Sequence, residues 1–289
     1  MNRAIMNRAM TANSQPQNRS NHGPKDIGPA LLACFLVSDA VQKAHQVRQL
    51  ASRLRAGGYA HLQPLTLPSR PGRPAAPALL PPGKVPRRRI SSSPGGRVAL
   101  LHAIAHIELN AIDLALDMAG RYGAEAMPFD FVRDWIAVAD DEARHFLMLE
   151  DRLRELDSFY GALPAHDGLW QAAEATLADL PGRLAIAPLV LEARGLDITP
   201  QLIEKLEAVG DSRTADCFKI IYEDEIGHVA IGKRWFDYVC GLERLDPVSS
   251  WQNLVRRYFR GQLKPPFNLE ARKAARFSAA FYGPLAEAG

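Results

Sequence analysis

Apolar residues recur every three to four positions along four long stretches of this chain, a spacing that predicts four α-helices. The stretches run from about Gly96 to Tyr122, from Phe129 to about Asp157, from Leu184 to about Leu196, and from about Ser212 to Val239. Tyr122-Gly123 breaks the first pair, and Pro128 suits the first turn of the second helix. The second pair turns at Val209-Gly210-Asp211-Ser212. Between the pairs, residues 158–182 hold Gly161, Pro164, Gly168, Pro181 and Gly182 around a short helical patch. That is enough chain to cross from one hairpin to the other. Pro188 removes a backbone hydrogen bond and predicts a kink one turn before Glu192. Thr199-Pro200 reads as the N-cap and first residue of a new helix. The expectation is an all-α fold, with a four-helix bundle over residues 98–240.

The flanks differ in character. Residues 1–25 are polar, rich in Asn, Arg and Ser, and predict a disordered basic tail. Within residues 26–97, one helix is expected from about Pro29 to Arg55, with Leu32, Phe35, Leu36, Val41 and Leu50 as its apolar side and Gly57-Gly58 as its end. Residues 60–97 then hold nine of the 21 prolines, together with seven arginines and lysines, and read as an extended segment that wraps the domain or links to it. Residues 241–289 read as a C-terminal helical extension, broken at Gln262–Asn268.

The chemistry is concentrated in two short runs, Asp141-Glu142-Ala143-Arg144-His145 and Asp224-Glu225-Ile226-Gly227-His228. Residues three apart share a helix face, so Glu142 with His145, and Glu225 with His228, can grip one ion each. With fourteen Glu and eight His in 289 residues, a lone Glu-x-x-His arises roughly 0.4 times by chance. Two copies, each preceded by Asp, are harder to dismiss. Glu108 precedes Glu142 by 34 residues, and Glu192 precedes Glu225 by 33. At 1.5 Å per residue, a leg of about 14 residues covers about 20 Å, so an antiparallel hairpin returns each Glu-x-x-His to the level of its upstream Glu. The set Glu108, Glu142, His145, Glu192, Glu225 and His228 is that of a dinuclear carboxylate site in a bundle. Four buried carboxylates are costly alone; two divalent cations balance them and leave the imidazoles as neutral ligands. The bland alternative, ordinary solvent-facing acids, must treat the duplicated spacing as coincidence.

Neighbouring positions have their own expectations. Asp141 and Asp224 are rotated by about 100° from the adjacent Glu, so neither shares its metal. They are expected to hold the opposite imidazoles, Asp141 on His228 and Asp224 on His145. Tyr222, three residues before Glu225, is expected to bond a ligand carboxylate, with a redox role as the lesser option. His102 and His106 read as packing residues near the site. Mixed carboxylate and imidazole ligation suits two iron or manganese ions.

Composition adds bounds. With 47% hydrophobic residues, the chain can bury a sizeable core. Three unpaired cysteines (Cys34, Cys217 and Cys240) suit a reducing cytoplasm. No uninterrupted apolar run approaches the roughly 18 residues of a membrane span, and Ala30–Val37 sits late for a signal-peptide core. The net charge of +3 is uneven, because only two acids (Asp26 and Asp39) precede residue 101 and 30 follow. A basic arm of this kind, with Arg87-Arg88-Arg89, is either a solvated tail or a surface for nucleic acid.

Three stretches resemble an uncharacterised bacterial ferritin-like domain family: Arg97–Glu108, Leu191–Pro200 and Lys264-Pro265-Pro266-Phe267-Asn268. The resemblance spans roughly residues 30 to 283. It implies a ferritin-like four-helix bundle, with extra flanking helices and a proline-rich N-terminal linker, around a dinuclear iron site. It implies no assigned reaction. More distantly, the ligand pattern is similar to that of a di-iron hydroxylase acting on modified adenosine in tRNA, and to bacterioferritin, manganese catalase and the di-iron oxygenases. The expected function is a di-iron oxidoreductase that activates dioxygen or a peroxide on a small organic substrate. An iron-binding or storage module, a tRNA-modifying hydroxylase and a bundle with a merely structural metal are the alternatives. The oligomeric state is left open.

Overall fold

The computed structural model describes residues 25–85, 94–124 and 127–287. The expected tail, apart from Lys25, and the Arg87-Arg88-Arg89 run lie outside the described residues. The fold is all-α, with eleven α-helices among the described residues.

Two helices, α1 (Gly28–Leu36) and α2 (Ala40–Arg55), stand where the sequence predicted one. The backbone turns extended at Val37 and Asp39, and the Asp39 carboxylate accepts from Gln42 N at 2.7 Å. A good N-cap at that point favours starting a second helix over continuing the first. A short parallel pairing of β1 (Lys25–Asp26) with β2 (Tyr59–His61) ties the ends of this unit together. The proline-rich chain that follows has no helix beyond one turn at Pro82–Lys84, and it lies against the bundle. Gly72 O accepts from the buried Lys43 ammonium, Ser69 O from the Trp170 indole, and Pro68 O from Arg121.

The bundle is built from two hairpins. α3 (Pro94–Tyr122) packs along α4 (Phe129–Glu155), and α7 (Ala193–Ala208) packs along α8 (Ser212–Glu243). α4 also packs on α8 and on α2. α5 (Gly168–Ala175) and α6 (Leu180–Ile186) carry the crossover. By length and average hydropathy α3 would suit a membrane span, yet 72% of its apolar window is buried inside the protein. Its apolarity is that of a core helix.

The third helical run departs most from expectation. It passes from α6 through a π-helical segment, Ala187–Glu192, directly into α7, and it does not restart at Thr199-Pro200. Proline has no N–H, so Pro200 leaves Leu196 O without its usual donor. Asn268 Nδ2 supplies that donor at 3.2 Å, and α7 continues. Further back, the Trp251 indole N–H donates to Ala185 O at 3.2 Å, where the chain widens toward Pro188. Both donors come from the C-terminal extension: α9 (Pro247–Tyr258), α10 (Leu269–Ala274) and α11 (Ala279–Glu287). The extension therefore supports the strand of helix that carries Glu192.

Candidate metal centre

Glu108 projects from α3, Glu142 and His145 from α4, Glu192 from the end of the π-helical segment, and Glu225 and His228 from α8. Two groups form around a shared carboxylate: Glu108, Glu142 and His145 in one, Glu142, Glu225 and His228 in the other, each with one potential ligand atom per residue within 4.8 Å of the others. Nδ1 of His145 lies 3.2 Å from Glu108 Oε2 and 3.5 Å from Glu142 Oε2. Nδ1 of His228 lies 3.1 Å from Glu142 Oε1, without the alignment of a hydrogen bond, and 3.7 Å from Glu225 Oε2. The two imidazole centroids are 6.0 Å apart. Glu192 belongs to neither group of three, but lines the same cavity as Glu108, Glu142 and Glu225.

The opposite edge of each ring is held by an aspartate from the facing helix. His145 Nε2 pairs with Asp224 Oδ2 at 2.9 Å, and His228 Nε2 makes a looser contact with Asp141 Oδ2 at 3.5 Å. Arg144 joins the two acids, at 2.6 Å from Asp224 and 3.3 Å from Asp141. Sequence reasoning placed both aspartates but passed over Arg144, although it stands three residues after Asp141 and therefore on its face. Orienting the rings this way turns both Nδ1 atoms toward the carboxylates. Tyr222 was expected on a ligand carboxylate; its hydroxyl instead accepts from Asn268 Nδ2 at 2.8 Å. His102 and His106 are buried packing residues: Tyr160 stacks on both, His106 Nδ1 pairs with the Tyr160 hydroxyl, and His102 Nε2 accepts from Gly161 N.

The electrostatics of the cluster are those of a site short of positive charge. Burial, together with the neighbouring Glu142 charge, pushes Glu108 well above the usual carboxylate range and raises Glu225. Burial and the Glu225 charge do the same to Glu192. Burial opposes ionisation of Glu142 as well, but His145 and His228 outweigh it and hold that carboxyl low. Burial likewise works against charge on the imidazoles, yet Asp224 and Glu108 raise His145, and Asp141 and Glu142 raise His228. Four carboxyls in one buried cluster thus resist being ionised together.

Hydrogen bonding shows the same deficit. Among the described residues, ten buried side-chain N and O atoms have no hydrogen-bond partner, and five belong to this cluster: both Glu142 oxygens, Glu192 Oε2, Glu225 Oε2 and His228 Nδ1. Buried polar atoms are rarely left unpaired, and a convergent set of acceptor atoms is what a bound cation satisfies. The donor set of carboxylate and imidazole suits divalent transition-metal ions.

These features define a class: an all-α protein whose packed hairpins enclose buried carboxylate and histidine groups able to hold metal. Residues 36–283 match the family described as "Protein of unknown function (DUF455)", and the chain belongs to that family. A Haemophilus influenzae relative, itself described as an uncharacterized protein, is 41% identical over 210 residues, covering 71% of this chain and 73% of the relative. No solved structure matches.

Proposed function

We propose that this chain is a ferritin-like di-iron oxidoreductase that uses dioxygen or a peroxide to oxidise a small, largely apolar organic molecule. Glu108 and His145 would hold one ion, Glu192, Glu225 and His228 the other, and Glu142 would lie between them. This follows the arrangement of one Glu from each of two helices and a Glu-x-x-His from each of the other two. Bound iron would supply electrons to the oxidant and Lewis acidity toward it. Manganese is the alternative occupant.

The observation that carries the enzymatic reading over storage is a cavity of about 200 Å³ beside the ligands. All four Glu residues stand on its wall, and most of the remaining surface is apolar, with Ile104, Leu114, Ile198, Leu202 and Phe218 among the contributors. A partly enclosed apolar chamber with a few convergent polar groups is the usual form of a small-molecule site. It lies between α3 and the π-helical segment with α7, so a guest would meet the metal face of the carboxylates. His145, His228 and the aspartates behind them orient the ligands from the other side.

The test is anaerobic loading with ferrous iron, followed by oxygen, with oxygen uptake recorded against a panel of small apolar compounds. Uptake that stops near the amount set by two irons, with one compound oxidised at up to about one equivalent per pair of irons in that single turnover, supports the reading. Continued uptake of iron far beyond two per chain, with no response to any compound, would return the chain to storage.

A further inference from the structure

The wall of the cavity carries one positive side chain among the described residues that line it, Arg194. Its surroundings offset its charge only in part. Nη1 donates to two neutral carbonyls, Lys264 O at 2.7 Å and Pro266 O at 3.4 Å, which fix the guanidinium without neutralising it. Nη1 also donates to the one carboxylate in reach, Asp197 Oδ2, at 3.4 Å. Asp197 is already committed: Arg272 donates to its two oxygens at 2.9 and 2.8 Å, and Asn268 N donates to it at 2.9 Å. Arg194 Nε and Nη2 have no protein partner among the described residues. The buried arginines elsewhere are paired more closely, Arg183 at 2.5 Å and Arg272 at 2.8 Å from an aspartate.

Position matters as much as charge. The Arg194 side chain is 41% exposed and lines the cavity as well, so it reaches from the chamber to solvent. It also stands on the wall of a second cavity, of about 270 Å³, where the exposed Lys264 has no ion pair among the described residues. Arg194 follows the metal-side residue Glu192 by two positions, an axial step of about 3 Å. From there the apolar lining continues along α7 through Ile198 to Leu202. With two divalent ions balancing the four glutamates, Arg194 remains as a net positive charge at the rim of an apolar chamber.

Resting on the reading of the site given above, we infer that the substrate class is an apolar molecule bearing one carboxylate. Arg194 is the group that binds the carboxylate, and the apolar body lies in the chamber beside the four glutamates. A guanidinium with two adjacent free N–H groups suits a carboxylate in a paired geometry.

The experiment compares octanoate and decanoate with octanol and decanol by calorimetry, on the iron-loaded and the metal-free chain. Each acid should bind about 10- to 100-fold more tightly than its alcohol, the range for a hydrogen bond to a charged group. Arg194→Gln should remove that preference while leaving alcohol binding and iron content unchanged, and Arg194→Lys should keep part of it. The wild-type comparison needs no folded variant, which matters because Arg194 also ties down the Lys264–Pro266 turn. Equal binding of acid and alcohol, binding of neither, or a preference that survives Arg194→Gln would each overturn the inference. Iron content measured on the same samples separates the two failures. A chain with two irons and no acid preference refutes the anchor alone, whereas a chain that takes up no iron refutes the metal centre whatever the acids do.

Discussion

Two glycines on α8 should respond in opposite directions to the same substitution. A Cβ at Gly232 would lie 2.3 Å from Pro188 Cβ and 2.5 Å from Pro188 Cγ. Carbon atoms in contact sit about 3.5–4.0 Å apart, so Gly232→Ala needs more than 1 Å of movement. The proline ring cannot rotate out of the way. The strain must pass into α8 or into the π-helical segment, whose last residue is Glu192. Overpacking of this kind costs about 1–3 kcal/mol, and the better helix propensity of alanine offsets about 1 kcal/mol of that. The expected net loss is up to about 2 kcal/mol. Gly227 is exposed on the same helix, and a Cβ there meets nothing within 4 Å. Gly227→Ala should therefore gain up to about 1 kcal/mol. Urea denaturation of the metal-free proteins reads both values. Ferrous iron titration then reads the site, where a displacement of about 0.5 Å is enough to weaken a ligand set. Gly232→Ala should lower iron affinity and Gly227→Ala should not. Equal stabilisation by both substitutions, with iron binding intact, would show that the close approach of α8 to Pro188 does not hold Glu192 in place.

The other expectations concern the ligands and the histidines packed beside them. Metal analysis after anaerobic loading should find about two ions per chain; Glu142→Ala, which removes the carboxylate common to both groups, should lose both, while the exposed Glu223→Ala should lose neither. Asp224→Asn should keep the fold and lower iron affinity by about 10- to 100-fold, with a smaller effect of Asp141→Asn, whose contact with its imidazole is 3.5 Å against 2.9 Å. Burial brings His102 down from 6.5 to about 4, so the folded state binds its proton less readily than the unfolded state does. Its contribution is whole above pH 6.5 and is lost as pH falls toward 4, by about 3 kcal/mol. His102→Gln, which keeps an acceptor for Gly161 N, should flatten the denaturation profile across that window, and an unchanged slope would refute the assignment.

What the sequence made legible was whatever depends on residues close in number. Glu142 with His145, and Glu225 with His228, share faces because three residues nearly complete a helical turn. Glu108 reaches the same level because the two legs of its hairpin are nearly equal. The aspartates followed from a rotation of one residue. What stayed hidden depends on partners far along the chain. Thr199-Pro200 has every local mark of a helix start, and it fails to act as one because Asn268 replaces the missing donor at Leu196 O. The same side-chain nitrogen takes the Tyr222 hydroxyl, which is why a tyrosine on the expected face bonds something other than a ligand. Arg194 carried no local signal at all. Its importance lies in the carbonyls of Lys264 and Pro266 and in an aspartate already occupied by Arg272.

The two sides of the cluster are built for different tasks, and the packing explains how. α4 and α8 pack against each other, and at their contact Asp141, Asp224 and Arg144 form a charged bridge behind the imidazoles. This fixes the Nε2 edges and leaves no apolar room there. On the other side, α3 faces the π-helical segment and α7 across the cavity. A straight helix through residues 180–208 would carry Glu192 at a different angle, because a π turn adds a residue and rotates everything after it. Pro188 makes the widening favourable, Gly232 gives the proline room, and the Trp251 indole satisfies the Ala185 carbonyl. The C-terminal extension thus supports the helical run that carries Glu192, which departs from regular α-helical geometry. That departure aims the fourth carboxylate into the chamber where a substrate would lie.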